Sequence, residues 1–295
     1  MLKPLAWSLT ATIVSTAALG SVAPARAATP IFGDDFAPGN TCRWSAHAPA
    51  DACDDMVLVP AGTFTMGSND GEDEEKPVHA VELDAFWIDR TEVTNGAYYD
   101  CWANSGCPEP PDWAPSRECT WWGPGGRTTQ PANCLDWDHA RAYCAWAGKR
   151  LPTEAEWEKA ARGTDARTYP WGEAIATCSY SVMYDPAAGG TGCGVAHTAP
   201  VASKPTGVSP FGAFDMAGNV REWVADWYGA NTYATAPFVN PTGPATGTFK
   251  ILRGGSWNDI PTVSPAQPGS ARPGAGSSYL PVRAIQWAQR CARDP

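Results

Sequence analysis

The sequence predicts a single loop-rich domain that holds both short strands and helices. Three observations predict it. Gly and Pro are abundant, at 29 and 28 of 295 residues, which gives many turns. Short alternating apolar runs of strand period come first, and capped helices of 3.6 period follow. No linker splits residues 56–293, and no internal repeat is present. Fifteen tryptophans supply large apolar area, which argues against disorder.

Each element follows from its residues. Met56-Val57-Leu58-Val59 is a short apolar strand, Pro60-Ala61-Gly62 a turn, and Thr63-Phe64-Thr65-Met66 alternates as a second strand. Asp70 to Lys76 is an acidic surface loop. Val81, Leu83 and Ala85 alternate with Glu82 and Asp84, giving a half-buried strand that runs into Phe86-Trp87-Ile88. Thr94 can cap a helix carrying Tyr98, Tyr99 and Trp102. A second helix spans about Trp137 to Ala147, with Trp137, Ala140, Cys144 and Ala147 on one face and Gly148 as its stop. Thr153-Glu154-Ala155-Glu156 is a capping box that opens a third, with Trp157, Ala160 and Ala161 inward and Gly163 at its end. Loops and short strands follow Trp171, among them Ile251-Leu252 before the tight turn Arg253-Gly254-Gly255-Ser256.

The first 27 residues read as a secretory signal peptide. Lys3 gives a charged start, Leu5 to Val22 are mostly apolar, and Ala25-Arg26-Ala27 fits a cleavage site. Export to the periplasm or the medium is expected, and residues 28–55 form a lead-in. No other segment approaches the ~20 apolar residues of a membrane span. The net charge is −10, and it becomes −12 when Lys3 and Arg26 leave. Such acidity disfavours nucleic acid as a partner and suits a hard cation such as calcium.

Ten cysteines behind a signal peptide favour disulfides, and no C-x-x-C pair supports a zinc ribbon. Cys42–Cys53, Cys101–Cys107 and Cys178–Cys193 each close a short loop. Spacing alone leaves the full connectivity open. His47, His79, His139 and His197 show no metal spacing. Neither a G-x-S-x-G elbow nor a phosphate loop occurs. Arg150 beside Glu154, Glu156 and Glu158 reads as structural, with Arg150 paired to a carboxylate.

Seven segments stand in order: MVLVPAGTFTMGS (56–68), FWIDRTEVTNGAYY (86–99), AYCAWAGKRLPTEAEWEKAARG (142–163), YPWG (169–172), DMAGNVREWVADWY (215–228), LRGGSW (252–257) and RCAR (290–293). Together they resemble the formylglycine-generating enzyme, or sulfatase-modifying factor, family. The resemblance implies an α+β fold of low regular secondary structure with a C-type-lectin-like core. It implies a Cys144–Cys291 disulfide, which leaves Cys119 and Cys134 to pair with each other. It implies structural calcium on the Asp215 and Glu222 side chains and the Gly218 and Val220 carbonyls. A further family calcium site is not carried over, because Cys178-Ser179-Tyr180 stands where an asparagine is usual.

The resemblance also implies copper-dependent oxidation of a protein cysteine, with two cysteines holding the metal three and eight residues after the RGGS serine. Here those positions are Asp259 and Ser264. Carboxylate and hydroxyl are hard ligands, unsuited to Cu(I), so copper is not expected. The His-x-x-x-His pair of iron-dependent relatives is absent too. The expectation is a binding or accessory module. Its groove would expose Ser256, Trp257, Asn258 and Asp259 to a peptide, protein or glycan. The alternatives are another enzyme on the same scaffold, with Ser256 or Asp259 catalytic, or a surviving formylglycine-generating oxidase.

Overall fold

The computed structural model describes residues 55–69, 75–110, 119, 127–235, 238–260, 267–269 and 287–295. The signal peptide, the Cys42–Cys53 pair, Asp70–Glu74 of the acidic loop and Ser264 lie outside the described residues.

Strands β1 (Met56–Val59) and β4 (Phe86–Asp89) pair antiparallel, and β9 (Ala292–Arg293) adds to the other edge of β4. Strands β2 (Gly62–Met66) and β3 (His79–Leu83) form a separate hairpin. The expected continuous strand from Val81 to Ile88 is therefore two. Asp84 N donates to Asn240 Oδ1 rather than to a ladder, so the chain changes sheets there. The third sheet has the order β7 (Gln267–Gly269), β6 (Lys250–Arg253), β5 (Arg221–Trp227), β8 (Trp287–Ala288).

Side chains alternate across a strand, and the third sheet uses both faces. Val224 and Ile251 join one apolar cluster with Val59, Phe64, Val81, Ile88 and Trp157. Trp223 and Leu252 join the other, with Tyr98, Leu135, Tyr143, Cys144 and Cys291. The β5–β6 pair is thus buried on both sides, with short apolar centres, Trp223-Val224-Ala225 and Ile251-Leu252, flanked by the buried charges Glu222, Asp226, Lys250 and Arg253.

The first and third helices begin at the expected caps, Thr94 and Thr153, and the second begins at a further cap, Asp136. Thr94 Oγ1 accepts from Ala97 N at the start of α1 (Asn95–Ala103), and Asp136 Oδ1 from His139 N at α2 (Trp137–Trp146). Both arms of the Thr153–Glu156 capping box form on α3 (Glu154–Arg162), and Gly163 ends it at φ +72°. A short α4 (Thr232–Thr235) lays Tyr233 on the first cluster.

Helix α3 departs from the amphipathic expectation. All nine of its residues are buried, including Glu154, Glu158, Lys159 and Arg162. Each charge has a partner. Glu158 takes Arg162 at 2.7 Å and Arg253 at 2.6 Å; Glu154 takes Arg253 at 3.1 Å. Lys159 Nζ donates to the Pro60 and Gly62 carbonyls. Arg150 forks onto Glu156 at 2.7 Å on both oxygens, as its sequence position suggested.

Disulfides Cys101–Cys107, Cys119–Cys134, Cys144–Cys291 and Cys178–Cys193 form. The Cys144–Cys291 link joins positions 147 residues apart and ties β9 to α2.

Candidate functional site

The site is built around the turn after β6. Gly254 and Gly255 have φ of +95° and +72°. A Cβ at Gly254 would stand 3.1 Å from the Trp157 ring, so glycine is required there twice over. Gly254 O accepts from Gly218 N, which joins the turn to the loop before β5. Gly218 itself, at φ +84°, would press a Cβ onto Ser181 Oγ and Val182 O. The turn is clamped from the other side by residues 178–196. Gly192 N donates to Trp257 O and Tyr184 N to Asp259 O, while Trp257 N donates to Asn219 O.

Asp259 occupies the first expected thiolate position. Its Oδ2 accepts from Arg221 Nε at 3.1 Å, from Arg221 Nη2 at 2.9 Å and from Ser256 Oγ at 2.6 Å. Both members of the ion pair keep about a fifth of their surface exposed. Such a carboxylate is already neutralised and hydrogen-bonded. The donors that copper needs are soft thiolates, and the sequence has none between Cys193 and Cys291. The site does not fit that metal.

Two of the four predicted groove contacts need correction. Trp257 is 4 % exposed and Ser256 has no exposed surface, so neither lines an open groove. The sequence could not show that the 178–196 segment hydrogen-bonds to the backbone of this turn. Asn258 and Asp259 remain half-exposed. Ser256 Oγ donates to Asp259 Oδ2 and accepts from Asn258 N, so its proton is held by a carboxylate that Arg221 already neutralises, which leaves it unlike a nucleophile. Sequence reasoning missed Tyr184, Ile260 and Arg221. Tyr184 is bonded to the Asp259 carbonyl and exposed, and Ile260 beside it is exposed as well. Arg221 sits in the quoted DMAGNVREW segment, but nothing in the sequence links it to a residue 38 positions on.

A buried acidic group lies behind this turn. Asp215, in left-handed backbone at φ +56°, accepts from Ala202 N at 2.6 Å. Glu222 is fully buried, and its two oxygens accept three N–H donors, two from Arg290 and one from Trp157 Nε1. Glu92 accepts from Asn219 Nδ2 and Val220 N. Burial, aggravated by the Asp215 and Glu222 charges, holds the Glu92 carboxyl well above its usual range. Burial pushes Asp215 up to about 6. Three carboxylates thus share one guanidinium. The donors are oxygens, the ligand class of a hard cation, and Asp215 has fewer of its positions occupied than Glu222. Among the described residues no three His, Cys, Asp or Glu side chains converge as a metal cage.

The fold and this turn together define the class. The family model described as the sulfatase-modifying factor enzyme 1-like domain matches residues 43–294, and the chain belongs to that family. It is 36 % identical over 260 residues to a formylglycine-generating enzyme of Thermomonospora curvata, covering 72 % of this chain and 85 % of the relative. It is 31 % identical over 243 residues to hercynine oxygenase of Mycolicibacterium smegmatis, covering 70 % of this chain and 55 % of that enzyme. The solved structure of PvdO from Pseudomonas aeruginosa superposes with a TM-score of 0.61 at 29 % identity, over 82 % of this chain and 96 % of the other.

Proposed function

We propose that this protein is a binding or accessory module on the formylglycine-generating enzyme scaffold, without the copper oxidase chemistry. One observation carries this reading: where a thiolate would stand, Asp259 is tied to Arg221 and Ser256. The surface left for a ligand is the rim of Tyr184, Asn258, Asp259 and Ile260. An aromatic ring, an amide and an apolar side chain beside a charge pair suit a peptide segment or a glycan. The relatives named as enzymes support kinship, and the residue exchange separates this chain from their chemistry. The test is incubation of the purified mature protein with Cu(I) and a Cys-x-Pro-x-Arg peptide. Neither stoichiometric copper nor oxidation of the peptide is expected; both together would overturn the reading.

We propose calcium as the structural cation of the 215–222 loop, held through Asp215 and the Gly218 and Val220 carbonyls, with Glu222 contributing least. The surplus of buried negative charge supports it. Calcium should raise the melting temperature of metal-stripped protein, and Asp215→Ala should abolish the rise. An equal rise in the variant would place the ion elsewhere. Export is proposed from the leader pattern and the disulfides, and a mature N-terminus at Ala28 in the exported protein would support it.

A further inference from the structure

Cys178–Cys193 differs from the other three described disulfides in its surroundings. Cys101, Cys119, Cys134, Cys144 and Cys291 have no exposed surface, and Cys107 has 8 %. Cys178 and Cys193 are both half-buried. An attacking thiolate can reach this bridge in the native chain, whereas the buried three require unfolding.

The loop it closes is anchored at its root and docked at its far arm. Val182 and Met183 are buried, and Val182 O accepts from Asn219 N. Cys193 N donates to Met183 O. The far arm touches the turn after β6 through Tyr184 N to Asp259 O at 2.9 Å and Gly192 N to Trp257 O at 2.7 Å. From Gly189 to Ala196 the backbone has positive φ at Gly189, Gly190, Gly192, Cys193, Gly194 and Ala196. Glycine adopts that region freely, but Cys193 and Ala196 have to be held in it. The bridge is a direct means of holding Cys193, and Ala196 N donates to Thr191 O within the loop that the bridge closes.

We propose that Cys178–Cys193 is a thiol–disulfide exchange site, and that its reduction by a dithiol releases residues 184–196 from the turn at 256–259. One thiolate of the dithiol attacks a sulfur of the bridge. The S–S bond breaks, a mixed disulfide forms, and the other cysteine leaves as a thiolate and takes up a proton. The second thiol of the reductant then attacks the mixed disulfide and expels the second cysteine. Two electrons pass to the protein, and the dithiol ends as its own disulfide. Once freed, Cys193 and Ala196 return to ordinary backbone. The Trp257 and Asp259 carbonyls lose their partners, and water reaches the buried Trp257 indole. This inference does not depend on what the rim binds.

The experiment uses the oxidised, full-length mature chain in dithiothreitol without denaturant, quenched with iodoacetamide and mapped by mass spectrometry. Cys178 and Cys193 should be alkylated at least about tenfold faster than the other six described cysteines. Amide exchange should rise in 184–196 and 256–259 and stay low in β5 and β6. Equal alkylation rates, or reduction of this bridge with exchange unchanged at 256–259, would overturn the proposal. The double variant Cys178→Ser with Cys193→Ser gives a second reading, because it should show the same two exposed segments without reductant. Exchange like that of the oxidised chain would count against it. Should the variant not fold, reduction of the unaltered chain decides.

Discussion

Glu222 and Arg290 meet through two contacts of 2.5 Å, and neither side chain has any exposed surface. The remaining guanidinium donors reach the Asp89, Arg90 and Phe214 carbonyls. Removing one member of such a pair strands a charge in the core. Arg290→Met should cost about 3–5 kcal/mol, measured by guanidinium denaturation. Arg290→Met with Glu222→Leu should recover part of that loss, because the Glu222 charge goes with its partner, while Asp215 loses the guanidinium and Trp157 Nε1 its acceptor.

Asp226 predicts a pH dependence. It is buried, and its Oδ2 accepts from Glu154 N at the start of α3. Burial, with Glu154 and Glu156 nearby, pushes its carboxyl up to about 8 from an ordinary 3.8, against a partial offset from Lys250. A raised acid favours the folded state while protonated. Its contribution is complete below the unfolded value near 3.8 and is lost as pH rises towards 8. Asp226→Asn keeps an acceptor and removes the titration. The variant should therefore gain in melting temperature over the parent as pH goes from 5 to 8, with the widest gap above 8. A constant gap across that range would rule out Asp226 as the source.

Trp257 makes a separate prediction. Its ring is buried, but its Nε1–H finds no hydrogen-bond partner among the described residues. The side chain therefore contributes by packing rather than by its polar group. Trp257→Phe should change stability by about 1 kcal/mol or less, and Trp257→Ala should cost about 3–5 kcal/mol. Similar losses in the two variants would mean that the indole N–H matters after all.

Restoring the thiolates tests the reading of the turn. Asp259→Cys with Ser264→Cys should bind Cu(I) in a chelator competition assay where the parent chain does not. Loss of the half-exposed Arg221 pair should cost the variant only about 1 kcal/mol. Failure to bind copper would show that more than two ligands have been lost from this scaffold.

What the sequence disclosed depended on distance along the chain. The Thr94, Asp136 and Thr153 caps act within three residues, and the starts of their helices were readable or nearly so. The buried charges of α3 were not, because the partner of Glu154 and Glu158 is Arg253, nearly a hundred residues away. The exchange of thiolates for Asp259 and Ser264 was legible as soon as the RGGS turn was recognised. The burial of Trp257 was not, since the 178–196 loop that docks on its backbone carbonyl carries no pattern of period 2 or 3.6. The division between β3 and β4 was missed for a similar reason: the Asp84–Asn240 contact that separates them spans 156 positions.

The position of β9 has a consequence for biosynthesis. This strand, with Arg290 and Cys291, pairs with β4, which leaves the ribosome some two hundred residues earlier. Until residues 287–293 emerge, Glu222 has no counter-charge, Asp89 no amide from Cys291, and Cys144 no mate. The nascent chain therefore emerges with these partners unmatched, and they pair only after that segment is out. A factor that shields apolar surface during synthesis or transit has most to protect in this protein just before that short segment arrives.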